Sequence, residues 1–194
     1  MEPLELKRQG IHITLGLIII ILFYFDILVS WWLLAIFAIS LIISLLCQEN
    51  KLPFMNKYIE SFERSKYRRK FPGKGPIFFF LGAWLVTFFF DKDIALAAIA
   101  ILTFGDALAT LISLSNGKKK HPLSNTKLIE GSIVGTIVGF LVASIFVPWW
   151  QALIAAFIAM NIEVMEIKIY EFDVDDNLSI PVIAAAIIFI LQLI

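Results

Sequence analysis

Cysteine is nearly absent from this chain. Cys47 stands alone near the end of an apolar run, so no intrachain disulfide can form, and a small packing residue is the reading left for it. Charge is sparse as well. Only 16% of residues are charged, and 16 basic side chains balance 16 acidic ones, so zero net charge offers no bulk attraction for a nucleic-acid partner. A signal-peptide cleavage site is also missing. Lys7 and Arg8 precede an apolar stretch, but Phe23, Tyr24, Phe25 and Asp26 follow it instead of small residues, which predicts a retained first span. Nor is there spare length. Seven spans of roughly 20 residues use about 140, so 194 residues supply one transmembrane domain, 1–194, with no separate soluble one.

What is abundant is hydrocarbon. Hydrophobic residues make up 60% of the chain, mean hydropathy is +0.88 and there are five Trp, values far from those of soluble domains. The expected fold is all-α and polytopic, with about seven transmembrane helices: Ile11 to Phe25, Ile27 to Leu46, Gly75 to Phe90, Ile94 to Leu114, Ile129 to Val147, Trp149 to Ile162, and Ser179 to Ile194. On that division, fifteen of the sixteen Lys and Arg fall at one end of the spans. Short loops obey the positive-inside rule. The amino terminus is therefore expected in the cytoplasm of a cell-membrane protein, and an odd number of spans places Ile194 outside. In the second cytoplasmic segment, Gln48 to Lys74, Met55, Tyr58, Ile59 and Phe62 recur at helical spacing and predict a short interfacial helix.

Polar residues gather at the same end. Pro72-Gly73-Lys74-Gly75-Pro76 reads either as a turn beside an inside-retained charge cluster or as a phosphate contact, with glycines admitting backbone amides and Lys74 adding a point charge; it is not a Walker A motif. Asp106, in Phe104-Gly105-Asp106-Ala107, lies inside an apolar run, roughly 13 Å from its cytoplasmic end. A central Asp costs about 3 kcal/mol on insertion scales, so it is expected to face the bundle interior or a wet cavity. Thr103, Asp106, Thr110 and Ser113 are spaced to share one α-helical face. Glu5, Arg8 and His12 share another, either as an ordinary surface pair with a satisfied His or as a charged face turned inward. Gly131, Gly135 and Gly139 repeat every four residues and predict close helix packing, within the bundle or between chains. Lys127 and Glu130 place opposite charges at that helix's amino terminus. Near the end, Glu163, Glu166, Glu171, Asp173, Asp175 and Asp176 face a single Lys168, against the positive-inside trend. Such carboxylates suit either a solvated loop or a hard cation; Ser179 can cap the helix that follows, with Pro181 in its first turns.

In order, Glu5-x-x-Arg8-x-x-x-His12, Gly105-Asp106-Ala107, Asn116-Gly117-Lys118, Lys127-x-x-Glu130-Gly131-Ser132 and Asp176-Asn177-x-x-Ile180-Pro181 resemble the CTP-dependent lipid kinases, the family of dolichol kinase, phytol kinase and the CTP-using diacylglycerol kinase. The resemblance runs from Glu5 to Pro181. It implies a membrane enzyme, with its site facing the cytoplasm, that moves the γ-phosphoryl of CTP to a lipid alcohol with Mg2+ or another divalent cation. Carried over residue by residue, Asp106, Lys127, Glu130 and Asp176 are the catalytic candidates. Arg8, His12, Lys74, Gly105, Lys118, Lys127, Gly131 and Asn177 are candidates for nucleotide and phosphate contact. Asp106, Glu130, Glu163 and Asp176 are candidate metal ligands, with Glu166 an alternative to Glu163. Gln9 departs from the pattern, because the family often has a basic residue there. Two other classes stay open: a phosphatidate cytidylyltransferase-like enzyme, whose His-x-Gly-Gly-x-x-Asp-Arg stretch this chain lacks, and a small ion or solute transporter. Neither the acceptor lipid nor the oligomeric state is encoded in these patterns.

Overall fold

In a computed structural model, which describes residues 3–49, 51–60, 62, 71–116, 119–122, 124, 127–165, 168–169 and 172–194, the most buried long helix is the one that carries Asp106. It is built from α5 (Lys92–Ala100), a π-helical segment (Ile101–Asp106) and α6 (Ala107–Asn116). Around it stand α1 (Pro3–Tyr24), α4 (Lys74–Phe89), α7 (Ile129–Ala143) and α9 (Asp176–Gln192), while α8 (Trp149–Val164) packs between α7 and α9. On the periphery, α2 (Ser30–Gln48) leads into the short α3 (Pro53–Glu60), and β1 (Lys168–Ile169) pairs antiparallel with β2 (Phe172–Asp173), Lys168 opposite Asp173. Apart from that hairpin and a single Lys120–Leu128 bridge, the described secondary structure is helical.

Burial explains the arrangement. Over its apolar window the Lys92–Ser115 helix is 78% buried, against 22% for α1 and 17% for α2, so it is the hub and they are the rim. Every residue from Ile94 to Leu102 is buried, which is why this helix has no polar face until Thr103. The rim turns apolar side chains outward instead. On α7, Ile133, Ile137, Leu141 and the following Ile145 are exposed, while Gly131, Gly135, Gly139 and Ala143 are buried on the opposite face. In water such a stripe would be an aggregation surface; in a bilayer it faces acyl chains. Trp31, Trp32, Trp149 and Trp150 are exposed at the starts of α2 and α8, where indoles anchor at a membrane interface. Among the described residues three helices are long and apolar enough to cross a membrane, and four shorter apolar ones, Lys74–Phe89, Ile129–Ala143, Trp149–Ile162 and Asp176–Gln192, occupy the remaining expected regions. Fifteen helical residues rise only about 22 Å, short of a roughly 30 Å hydrocarbon core.

The loops carry their own constraints. Asp26 adopts a left-handed φ of 60° in the tight turn between α1 and α2, and its carboxylate accepts from Lys92 Nζ at 2.6 Å. Lys92 is the one basic residue on the sparsely charged end, and this pairing accounts for it. Two hydroxyls tie α2 to the α4 region, Ser30 Oγ to the Thr87 carbonyl at 2.8 Å and Ser44 Oγ to the Pro72 carbonyl at 2.6 Å.

Two expectations change, and one left open is resolved. The π-helical segment breaks the α phase, so Thr103, Asp106, Thr110 and Ser113 do not line one face: Thr103 and Asp106 turn toward Gly16 and His12 of α1, whereas Ser113 meets Gly131 of α7. Wider turns rotate later residues relative to an uninterrupted α-helix, and such segments recur at functional sites. At the start of α9 the cap is Asp175, whose side chain accepts from the Asn177 amide, so the helix begins before Ser179. Finally, the glycine stripe of α7 packs inside the chain. A Cβ on Gly135 would lie 2.6 Å from Met160 Cε, 2.9 Å from Ala109 Cβ and 2.9 Å from the Gly105 carbonyl oxygen. Replacing Gly135 with Ala must displace backbone, and overpacking of this kind costs about 1–3 kcal/mol. Gly135→Ala is expected to lower the unfolding temperature in detergent by several degrees, whereas Gly10→Ala, with nothing within 4 Å of the new methyl, leaves it unchanged or raises it.

Candidate functional site

At the end of the bundle where basic residues cluster, a cavity of about 250 Å³ opens between α1, α4, the π-helical segment and the first turn of α9. Arg8, Gln9 and His12 form its α1 wall, Gly73, Gly75 and Phe79 its α4 wall, and Asp106 and Asn177 close it. Ile59 and Phe62 approach from the α3 side. The helical spacing of Glu5, Arg8 and His12 therefore does point inward. Glu5 is buried, and Arg8 Nη1 donates to both of its carboxylate oxygens, at 2.8 and 2.9 Å. His12 Nε2 donates to the Leu102 carbonyl at 3.2 Å and stands 3.9 Å from Asp106 Oδ2, with its ring edge-on to Phe79. Asp106 is buried, yet it has this imidazole beside it and the cavity in front of it.

The first turn of α9 brings the acidic motif to the same place. Lys127 Nζ lies 3.0 Å from Asp176 Oδ2, and Lys74 Nζ lies 3.4 Å from Asp175 Oδ2. Asp176 stands ahead of the apolar run that begins near Ser179. Partial burial raises its carboxyl to about 6, with Lys127 opposing the shift and the charges of Asp106 and Asp175 adding to it. Asp106 and Asp176, 70 residues apart in sequence, thus lie within each other's field. Asn177 Nδ2 donates to Asp175 Oδ1 at 2.8 Å, while its own Oδ1 is buried without a partner among the described residues. Gly82 makes this approach possible. A Cβ there would collide with the Asn177 carbonyl oxygen and lie 3.0 Å from Pro181 Cγ, so only glycine lets α4 pack on the α9 entry. Pro181 has no amide hydrogen, which leaves that carbonyl outside the usual helical ladder.

Other candidate residues lie elsewhere or face differently. Glu130 is turned to the amide of Lys119, at 3.3 and 3.4 Å. Gly105 and Gly131 are helix contacts rather than cavity walls: Gly105 faces the Gly135 carbonyl and Gly131 faces Ser113 and Ala109. Lys118, Glu166 and Glu171 lie outside the described residues, as does the side chain of Glu163. Sequence reasoning gave no site role to Phe79, marked Gln9 only as a departure from the family pattern, and offered Asp175 only among carboxylates suited to a solvated loop or a hard cation. Gln9 could have been found by its i, i+4 spacing from Glu5, the helix face that proves buried. Asp175 was visible only as one carboxylate among six.

Among the described residues no three His, Cys, Asp or Glu side chains cluster as a ready-made cation cage. Two carboxylates beside a cavity suit a magnesium ion that takes its other ligands from phosphate and water. The α4 amino terminus opens on the same space. Gly73, its cap, has a φ of 74° and supplies no side-chain cap, so the positive end of the helix dipole faces the cavity.

The fold and cavity define a helical membrane protein with an ionic pocket at one end of its bundle. Comparison with known proteins narrows that class. The chain is 28% identical to an uncharacterised protein of Methanocaldococcus jannaschii over 189 residues, covering 95% of this chain and 92% of that one. It is 25% identical to CTP-dependent diacylglycerol kinase 1 of Schizosaccharomyces pombe over 135 residues, 61% of this chain and 60% of the kinase. It is also 28% identical to the chloroplastic farnesol kinase of Arabidopsis thaliana over 146 residues, 69% of this chain and 47% of that protein. No family profile and no solved structure matches. These similarities relate the chain to the CTP-dependent lipid kinases.

The Lys127–Asp176 pair is partly exposed, at 29% and 36% of the side-chain surface, so its coupling is screened. In a double-mutant cycle on stability in detergent, Lys127→Ala and Asp176→Asn are expected to couple by roughly 1 kcal/mol. Additive effects would mean the pair contributes nothing to the fold.

Proposed function

We propose that this protein is a lipid kinase that transfers the γ-phosphoryl group of CTP to the hydroxyl of a membrane lipid alcohol, of the polyprenol or dolichol, phytol or diacylglycerol class. The observation that carries the reading is the convergence of Arg8, His12, Asp106 and Asn177 on one cavity beside the Lys127–Asp176 and Lys74–Asp175 pairs. Relationship to proteins named as diacylglycerol, farnesol and phytol kinases supports it. The proposed topology is seven spans, with the amino terminus and the site cytoplasmic and Ile194 outside, because the basic loops and the cavity share one end.

Phosphoryl transfer is mainly positioning and neutralisation of charge around an in-line displacement. In this reading the triphosphate lies against the α4 amino terminus, with Lys74 and Arg8 beside it and Lys127 steadying the charge that passes to the acceptor. Asp106 and Asp176 are the side chains that would hold a magnesium ion, which when bound would screen the phosphate oxygens from one another. Glu130 and Glu163 are the further carboxylates proposed for that role, and Lys118 a further phosphate contact. The lipid hydroxyl loses its proton to a carboxylate of the cavity as its oxygen bonds to the γ-phosphorus, and the bond from that phosphorus to the CDP oxygen breaks. Asp106 is best placed to take the proton. It is buried, faces the cavity and has His12 beside it. Asn177, whose buried side-chain carbonyl lacks a partner among the described residues, is a hydrogen-bond acceptor for substrate.

Purified protein with labelled CTP, magnesium and a panel of lipid alcohols is expected to yield a phospholipid and CDP. Pyrophosphate with a CDP-lipid would instead establish the cytidylyltransferase chemistry, and ion flux in vesicles without lipid phosphorylation would establish transport. Asp106→Asn and Lys127→Ala are each expected to lower kcat by about a hundredfold or more, the scale seen when a preorganised charge-stabilising group is lost, with membrane insertion unchanged. Turnover at the wild-type rate in either variant removes that residue from the site.

A further inference from the structure

The cavity has a neighbour. A second, more open recess of about 480 Å³ lies on the outer side of α1, bordered by Lys7, Gly10, Ile11, Thr14, Leu15 and Phe62. Those α1 positions fall at i, i+3, i+4, i+7 and i+8, one continuous helical stripe. Ile11, Leu15 and Phe62 border both spaces, so the recess adjoins the cavity along this shared wall. Its walls are almost wholly apolar. The Thr14 hydroxyl is already spent on the Gly10 carbonyl at 2.8 Å, and Lys7 sits at the rim. Within the cavity, on the side of α1 away from that shared wall, Gln9 is only 7% exposed and carries a buried Oε1 with no hydrogen-bond partner among the described residues. Leaving such an oxygen unpaired is costly, and a substrate donor removes that cost.

Resting on the kinase reading, we infer that the lipid alcohol enters sideways from the bilayer along α1. Its chain lies in the Gly10–Thr14 groove and passes Ile11 and Leu15, and its hydroxyl reaches the cavity, where the Gln9 amide oxygen accepts its hydrogen bond on docking; the hydroxyl turns that proton to Asp106 once the nucleotide is in place. The occupant is specified by chemistry on both sides: a polar end that can donate one hydrogen bond, joined to an apolar chain that leaves through a greasy wall. A nucleotide, polar along its length, has no use for the groove. Gly10 is the gatepost, since a side chain there meets nothing within 4 Å and would project into the groove rather than into the fold.

The test compares wild type, Gly10→Phe and Gln9→Leu, each first checked for an unchanged unfolding temperature in detergent. Acceptors are paired by tail length: geranylgeraniol with prenol, and dioleoylglycerol with dibutyrylglycerol. Gly10→Phe is expected to raise KM for the long acceptors about tenfold more than for their short analogues, the loss of burial for about two methylenes. Gln9→Leu is expected to raise KM for long and short acceptors alike, by about tenfold for one hydrogen bond in a buried site, with the Kd for magnesium CDP held. Equal effects of Gly10→Phe on long and short acceptors would overturn the groove. Weaker CDP binding with unchanged acceptor KM in Gln9→Leu would assign the amide to the nucleotide and overturn the hydroxyl contact. Retention of tritiated geranylgeraniol by the protein provides a reading that does not depend on turnover. If wild type phosphorylates nothing yet retains the lipid, and Gly10→Phe abolishes retention, the kinase reading fails while the groove stands; retention unaffected by Gly10→Phe removes the groove.

Discussion

A carboxylate cannot be left alone in hydrocarbon, and the arrangement of this bundle follows from where Asp106 must go. It lies on the most buried helix of the protein, just after an apolar stretch from Ile94 to Leu102 with no exposed residue. The fold meets the cost of the charge by opening a cavity in front of it and by bringing His12 of α1 within 3.9 Å. Both solutions require close helix approach. Gly16 admits Thr103 against α1, Gly135 admits α7 against Gly105, and Gly82 admits the first turn of α9 against α4. Small residues let backbones approach within the membrane, where no hydrophobic effect drives helices together.

The acidic entry of α9 is the second consequence. Asp175 caps the helix and pairs with Lys74; Asp176 pairs with Lys127. Each carboxylate thus has a cation from a different segment, and the two pairs hold the α4 amino terminus, the loop before α7 and the α9 entry in one place. A site assembled this way holds its charges in place through contacts among segments of the bundle itself. In the proposed reaction those cations are shared with phosphate, and the apolar side of α1 supplies the route by which a lipid reaches the polar end.

The helical class, the apolar segments and the end of the bundle that holds the polar residues were legible because hydrophobic run length, glycine spacing and basic-loop bias are local properties of sequence. The inward turn of Glu5, Arg8 and His12 followed from helical spacing, though that spacing alone fitted a surface pair equally well. The shared polar face from Thr103 to Ser113 was misread, since a π-helical turn changes the phase and leaves no simple mark in composition. Asp175 was hidden as a cap, being one of six nearby carboxylates, and Gln9 was hidden as a cavity wall because burial of an amide depends on its neighbours.

By itself, then, the chain determined that it would be a helical membrane protein with its charges at one end, since segment hydropathy and loop charge act residue by residue. Tertiary structure alone decided that Arg8, Asp106 and Asn177 share one cavity, that Asp106 and Asp176 feel each other's charge, and that an apolar recess on α1 adjoins that cavity. Those relations join residues up to 169 positions apart. They exist only once glycine contacts and a widened helical turn have fixed how the helices face one another.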